Sequence, residues 1–275
     1  MSGIGIIIPN SDFSNSPLGT VSLVKTPTEI VEAYLTRVGA NNDYKDKLIT
    51  LYTTLKQLDV IDHLDIFPML GSSLSNKLIG LKEQGKAYLF DSLLVGDNAS
   101  NATDGVTFAD SAPNVDSLVL TEKEIENVHG YYCFWRIKTF RKGQGNANEA
   151  YYKTSSGTKV WMMTNTTGDY KSRAGISRRN TVNAVDTPVD IYNTDTSVSS
   201  YVGSDVINTY QSGVLSYTES INSADYALVL NNLFGAAQGD TSSHFFNANV
   251  RMLAFGSVPS DKVAAVDAAF RAYWE

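Results

Sequence analysis

The sequence predicts a mostly β fold: an antiparallel sandwich, preceded by an extended arm and a helical hairpin and followed by a short C-terminal helix. Residues 66–256 consist of short apolar runs separated by Gly, Asn, Asp and Ser, a spacing typical of strands and turns. Helical periodicity is confined to residues 26–58 and to the C-terminal end, and no strand–helix–strand rhythm indicates a parallel sheet. We therefore divide the chain into an anchoring arm (1–25), a helical hairpin (26–65) and a sandwich with its closing helix (66–275).

The first 25 residues predict an extended arm, because they mix apolar side chains with Pro, Gly, Asn and Ser and show no helical period. Such a segment has to pack on something, either as an ordinary first strand of its own domain or on a partner chain. The candidate attachment residues are Ile6, Ile7, Ile8, Asp12, Phe13, Leu18 and Val21.

The hairpin is predicted from its start and stop signals. Thr26 is placed to cap a helix, Pro27 to occupy its first position and Glu29 to complete a capping box, while Gly39 ends the helical stripe. The polar residues 41–43 start the second helix. Two helices joined by a short polar turn make a helical hairpin.

Within the β region, one strand carries an apolar face that includes the single cysteine, Cys133, which predicts a buried and inert thiol. Val160–Met163 is apolar on both faces, as in a central strand. The Ser- and Thr-rich span 193–223 is predicted to form long loops and an edge strand. The basic cluster is predicted to be a solvated strand edge; its members are Lys171, Arg173, Arg178 and Arg179.

The last strand and the closing helix follow each other directly. Even positions from Phe246 to Ala254 are apolar, which is the alternation of a half-buried strand, but Leu253 and Phe255 are apolar too and need a cover. Ser260 is predicted to cap the helix that supplies this cover. Its helically spaced apolar residues are Val263, Val266, Phe270 and Tyr273.

Two stretches carry a resemblance to a known family. The pattern N-A-x-(apolar)-x-x-F-G, followed by a Ser-Asp cap and a short helix, resembles the end of a concanavalin-like (laminin-G-like) lectin domain in structural proteins of tailed phages, especially those infecting Bacteroidetes. Ile6–Val24 is similar to the opening (apolar)-P-x-(A/S)-D-F-S…(L/I)-G-x-V of such virion proteins. The two motifs bracket about 50 of the 275 residues.

The resemblance implies a jelly-roll sandwich in a virion protein, a head fibre or a decoration of capsid or tail. It implies that the arm attaches to other virion proteins, that the chain is a homo-oligomer, and that it is made in the host cytoplasm and released by lysis. Host-surface glycans are the candidate ligands, since the chain has 15 Tyr and 3 Trp and sugars are bound by aromatic faces with Asn and Asp. The loops that could supply these groups are 97–116, 143–152 and 193–212.

Two rival functions remain open: a glycoside hydrolase of the glucanase-like fold, and a purely architectural virion protein without a ligand. Hydrolases of that fold place paired carboxylates on alternate residues of one strand. Glu122, Glu124 and Glu126 alternate in this way. The hydrolase pattern, however, has an Asp between its two Glu residues, and this sequence has Lys123 and Ile125 at the intervening positions. The stretch also fits a helical turn. The sequence therefore predicts a solvated acidic surface and a protein that is not an enzyme.

No cofactor is predicted. Loop oxygens at Asp97, Asn98, Asn101 and Asp104 could hold calcium, but they match no lectin calcium motif and a polar surface loop is the stronger interpretation. A formal charge of −7 and a pI near 5.0 argue against a nucleic-acid partner. The chain has no run of roughly 20 apolar residues, so no membrane partner is expected either.

Overall fold

The fold is taken from a computed structural model of the 275-residue chain. It describes residues 25–82, 94–95, 99–108, 118–119, 124–125, 130–139, 148–153, 159–165, 171–178, 181–182, 185–190, 195–220, 230–231 and 248–274. The arm, with all of its candidate attachment residues (Ile6, Ile7, Ile8, Asp12, Phe13, Leu18 and Val21), lies outside the described residues.

The described helices are α1 (Pro27–Val38), α2 (Lys45–Gln57), α3 (Leu74–Lys77) and α4 (Val263–Trp274). The predicted capping box at the start of α1 is formed: Thr26 accepts from the backbone of Glu29, and the Glu29 carboxylate accepts from the backbone of Thr26. Gly39 ends the helix in the left-handed region. None of the helices in the described part of the chain is long and apolar enough to span a membrane.

Most of the described chain is β structure. The strands are β1 (Leu64–Phe67), β2 (Leu94–Val95), β3 (Ala99–Ala102), β4 (Gly105–Phe108), β5 (Leu118–Val119), β6 (Glu124–Ile125), β7 (Tyr131–Thr139), β8 (Asn148–Lys153), β9 (Lys159–Asn165), β10 (Lys171–Arg178), β11 (Thr181–Val182), β12 (Val185–Asp190), β13 (Thr196–Val202), β14 (Val206–Gln211), β15 (Val214–Ser220), β16 (Leu230–Asn231) and β17 (Ala248–Ser257).

These strands form two main antiparallel sheets. The larger has eight strands in the order β15-β14-β13-β7-β17-β4-β3, with β1 also paired to β17, and the smaller has five strands in the order β11-β10-β9-β8, with β12 paired to β10. The smaller sheet lies against one side of the larger, because β9, β10 and β12 contact β13, β14 and β15 respectively. The fold-class prediction of a mostly β, antiparallel architecture with a C-terminal helix is confirmed.

The helices cover one face of the larger sheet and share its hydrophobic core. Phe270 of α4 stacks on Phe134 of β7, with ring centroids 5.0 Å apart, and on Tyr132 at 6.2 Å. Buried residues of α1 and α2 belong to the same core. The boundaries that set the hairpin apart from the sandwich stay a prediction.

The last strand is apolar at both even and odd positions after residue 251, because both of its faces are buried there, and a β-bulge precedes this part. The register with β7 shifts between Val250 and Met252, so Arg251 is the extra residue. After the bulge the even residues Met252 and Ala254 join the helix-covered core, while Leu253 and Phe255 are buried on the opposite face. The closing helix therefore covers the even residues, not the odd ones as predicted.

Three local predictions are wrong. Ser260 does not cap α4; it is the first residue of the 3-10 turn Ser260–Lys262, which precedes the helix. The basic residues of β10 are not on a sheet edge, because β10 pairs with β9 on one side and with β11 and β12 on the other. The long loops predicted for residues 193–223 are wrong, because residues 195–220 form the strands β13, β14 and β15 and β13 is central and entirely buried. The edge strand predicted for the same span is confirmed as β15, which ends the larger sheet.

Candidate functional site

A pocket of about 440 Å³ opens where five distant segments of the chain meet. It lies between the α1–α2 connection, the loop after β1, the β3–β4 turn, the bulge of β17 and the end of α4. Its size falls within the range typical of small-molecule sites. Its lining includes the side chains of Tyr44, Lys77, Asp104, Arg251 and Trp274.

The loop after β1 owes its shape to two residues with positive φ, Met69 at 54° and Gly71 at 129°. A Cβ on Gly71 would lie 2.7 Å from the carbonyl oxygen of Val38, so this loop packs directly on the end of α1. The Asn101 side chain then donates to the carbonyl of Ser72 at 3.1 Å. These contacts hold the loop between the hairpin and the β3–β4 turn.

The side chain of Lys77 holds the β3–β4 turn through hydrogen bonds to its backbone carbonyl groups. Its side chain is only 2% exposed, and its Nζ donates to the carbonyl oxygens of Ala102, of Thr103 at 3.4 Å and of Gly105 at 3.1 Å. Burial lowers the pKa of Lys77, and the nearby Asp104 carboxylate opposes that effect. The ammonium group thus holds the turn that presents Asp104 to the pocket.

Arg251, at the bulge of β17, belongs to a network of charged side chains. Its guanidinium contacts Asp195, lies 3.6 Å from Oδ2 of Asp104 and donates to the Asn249 side chain at 3.3 Å. Asp195 also holds Nε of Arg136 at 2.7 Å. Each of the two arginines therefore faces at least one carboxylate, which fixes their positions.

Aromatic rings form the remaining wall of the pocket. Tyr44 and Trp274 both line it, and their ring centroids are 6.3 Å apart in an edge-on arrangement. The Arg136 guanidinium lies 6.0 Å from the centroid of Trp274 and connects the ring to the charged network. Both aromatic residues are half-buried, so part of each side chain is free to contact a ligand.

The four loop residues that were considered as calcium ligands, and interpreted instead as a polar surface loop, are only partly described. Asn101 binds a backbone carbonyl and Asp104 faces Arg251, while Asp97 and Asn98 lie outside the described residues. Among the residues that the structure describes, no group of three or more His, Cys, Asp or Glu side chains could hold a metal ion.

The candidate carboxylates of the hydrolase alternative are only partly described. Glu124 lies in the two-residue strand β6, which pairs with β16, so of the two conformations left open for this stretch the structure has the strand at Glu124 and not the helical turn. Glu122 and Glu126 lie outside the described residues. Asp104 was considered only as a possible calcium ligand, and Lys77, Arg251, Tyr44 and Trp274 were not predicted as site residues, because no local pattern marks a pocket built from several distant segments.

Comparisons with known proteins identify folds but no family. No protein-family model matches the chain, and no curated protein matches its sequence. Trypanosoma rangeli sialidase in complex with sialic acid matches with a TM-score of 0.52 at 9% identity, over 84% of this chain and 38% of that chain. A mutant of that sialidase displaying trans-sialidase activity matches with a TM-score of 0.53 at 8% identity, over 83% and 39%.

Domain 4 of a GH43 extracellular arabinanase from Geobacillus stearothermophilus, in complex with arabinotriose, matches with a TM-score of 0.48 at 11% identity, over 74% of this chain and 97% of that chain. The chain spans less than two fifths of the length of the sialidase chains. At such identities the similarity shows the fold, which is compatible with a lectin-like sandwich. The similarity to phage structural proteins stays a prediction.

These matches overturn one prediction. The chain was predicted not to be an enzyme, but two sialidase structures match its fold with TM-scores of 0.52 and 0.53. A fold by itself neither establishes nor excludes an activity. The prediction that the chain is not an enzyme, which was drawn from the carboxylate pattern at residues 122–126, is therefore wrong, since a fold shared with sialidase chains does not exclude an enzyme.

Proposed function

We propose that the chain binds a saccharide, and that the pocket between Tyr44, Asp104, Arg251 and Trp274 is where the sugar sits. The observation that carries this proposal is the presence of two half-buried aromatic rings and hydrogen-bonding charged groups in one pocket. A sugar ring has an apolar face and a rim of hydroxyl groups. It therefore requires both kinds of contact at once.

Trp274 supplies the larger apolar surface. Covering about 60 Å² of its ring is worth about 1.5 kcal/mol at about 25 cal/mol/Å², which corresponds to about tenfold in affinity. Asp104 and Arg251 supply the acceptor and donor groups for the hydroxyl rim, and their mutual contact fixes both before a ligand arrives. Binding through one pocket of this kind is weak, so several copies would be needed for firm attachment.

The test is a glycan array probed with the full chain, followed by titration calorimetry with any glycan that binds. We expect Trp274→Ala to weaken binding at least about tenfold, for the burial reason given above. Leu215→Ala is the matched control, because Leu215 is 52% exposed and does not line the pocket. Absence of binding to every glycan, or equal binding by the Trp274 variant, would overturn the proposal.

Hydrolysis is measured in the same mixtures. Release of new reducing ends that depends on Trp274 would make the pocket an active site, and the bound glycan would be its substrate.

The hydrolase alternative at Glu122, Glu124 and Glu126 has its own test. Changing these three residues to Gln would abolish such activity if they carried it.

The same proposal places the chain in a tailed-phage particle, as a head fibre or a decoration of capsid or tail. Its support is the similarity of Ile6–Val24 and of the last strand to virion proteins, together with the apolar composition of residues 1–25. The arm would attach to another virion protein. A homo-oligomer would then present several sugar-binding pockets to the host surface.

Incorporation into particles tests the attachment. We expect Ile7→Asp to remove the chain from purified particles while leaving its melting temperature unchanged, since a charge in an apolar contact is costly. Asn15→Asp is the control that adds a charge to a polar position of the same arm. Normal incorporation of the Ile7 variant, or of a chain lacking residues 2–24, would contradict this role of the arm.

A further inference from the structure

We infer that the pocket selects uncharged saccharides over acidic ones, with Asp104 as the acceptor for their hydroxyl groups. This inference rests on the proposed function, since it names the class of sugar that the same pocket takes. Two cationic side chains, Lys77 and Arg251, line the pocket and would by themselves favour an acidic sugar.

Lys77 has no donor to offer a ligand. An ammonium group has three N–H donors, and those of Lys77 are directed at the carbonyl oxygens of Ala102, Thr103 and Gly105. With 2% of its surface exposed, the residue cannot turn toward the pocket without breaking those bonds. The ammonium group of Lys77 therefore stabilises the β3–β4 turn and does not bind the ligand.

The positive charge of Arg251 is also compensated by neighbouring carboxylates. Its guanidinium contacts Asp195 and faces Asp104, and Asp195 in turn holds Arg136. Within this network two carboxylates balance two guanidinium groups. A sugar carboxylate or sulfate would have to displace one of these carboxylates or lie beside it, and both arrangements are unfavourable.

Asp104 is the carboxylate most available to a ligand. Its side chain is 53% exposed, and its Oδ2 lies 3.6 Å from Arg251, a distance that still permits other hydrogen bonds. An ionised carboxylate accepts up to about four hydrogen bonds, so it suits a group of neighbouring sugar hydroxyls. Asp43 lines the same pocket and adds a second negative charge there. The formal charge of −7 further disfavours anionic ligands at longer range.

The experiment compares matched ligands on the full chain. An array of neutral, uronic, sialylated and sulfated oligosaccharides is probed first. A neutral glycan that binds is then compared with the same oligosaccharide after oxidation of its C6 hydroxymethyl groups to carboxylates. We expect the array signals to come from uncharged glycans and the oxidised ligand to bind at least about tenfold more weakly.

A variant assigns the selectivity to Asp104. Asp104→Asn keeps the shape but loses the charge, so it should weaken neutral binding about tenfold and reduce the discrimination against the oxidised ligand. Asp205→Asn is the matched control, because Asp205 is exposed and does not line the pocket. An Asp104 variant with an unchanged melting temperature and unchanged affinities for both ligands would overturn the inference.

The outcomes separate the two claims. A preference for sialylated, uronic or sulfated glycans, with weakened binding in the Trp274 variant, would overturn this inference and leave the proposed function intact. No binding to any member of the array would overturn the proposed function and this inference with it.

Discussion

The hydroxyl of Tyr132 in β7 donates a hydrogen bond of 3.1 Å to Oδ1 of Asp267 in α4. Asp267 is 4% exposed, and it also accepts from the Ser199 hydroxyl of β13 and, through Oδ2, from Nε of Arg271 at 3.1 Å. One buried carboxylate therefore ties the closing helix to two central strands of the larger sheet. Since α4 ends at Trp274, this contact also positions one wall of the pocket.

Two Tyr→Phe substitutions should differ in their effect on stability. Tyr132→Phe removes a donor from the buried Asp267 and should lower the free energy of unfolding by about 1.5–3 kcal/mol. The hydroxyl of Tyr273 is equally buried but has no hydrogen-bond partner in the described part of the chain, so Tyr273→Phe should leave stability unchanged or raise it by up to about 1 kcal/mol. Urea denaturation measures both, and equal losses would contradict the assignment.

Alkaline pH should destabilise the fold through its buried phenols. Burial raises the pKa of Tyr34, Tyr132 and Tyr273 above the usual value of 10.0. Because the folded pKa is raised, the stability these groups contribute is complete below about pH 10 and is lost as the pH rises beyond it. Melting temperatures between pH 8 and 11.5 should fall above pH 10, and less steeply for Tyr273→Phe. A flat profile would contradict this.

Cys133 should be unreactive until the protein unfolds. The residue is fully buried, and burial raises the pKa of its thiol well above the usual range, so both access and thiolate are lacking. We expect a thiol reagent to label it at least about 100-fold more slowly in the native state than in denaturant. Complete labelling at the denatured rate would show that the face of β7 that carries Cys133 is open.

Gly256 should tolerate no side chain. It lies in β17 with φ at 150°, and a Cβ there would overlap the carbonyl oxygen of His63. Gly256→Ala should cost at least about 3 kcal/mol of stability. Gly130→Ala is the control: φ is also positive, at 79°, but the nearest atoms to a Cβ are 3.5 and 3.6 Å away, so its cost should stay near about 1–2 kcal/mol. Equal costs would contradict the packing described at Gly256.

The elements that sequence predicted correctly are those with local signals. The capping box of Thr26 and Glu29, the left-handed Gly39 and the apolar spacing of α4 depend on residues a few positions apart, so the pattern contains the information. The strand β7 was also predictable, because its alternating apolar residues require a buried face.

The burial of strand β13 could not be predicted from local sequence patterns. Its sequence, TSVSSYV, is polar at four of seven positions, yet every residue is buried. Ser199 is buried because its hydroxyl donates to Asp267, which lies 68 residues away in the sequence. The pocket was hidden for the same reason: Tyr44, Asp104, Arg251 and Trp274 come from four separate segments, and Arg251 reaches it through a bulge that no alternation pattern reveals.

The most direct measurement is a crystal structure of the full chain with an array-selected neutral oligosaccharide. We expect a sugar ring in contact with Trp274, with hydroxyl groups within hydrogen-bond distance of Asp104 and Arg251. A sugar bound on another surface, with this pocket unchanged, would contradict the central claim.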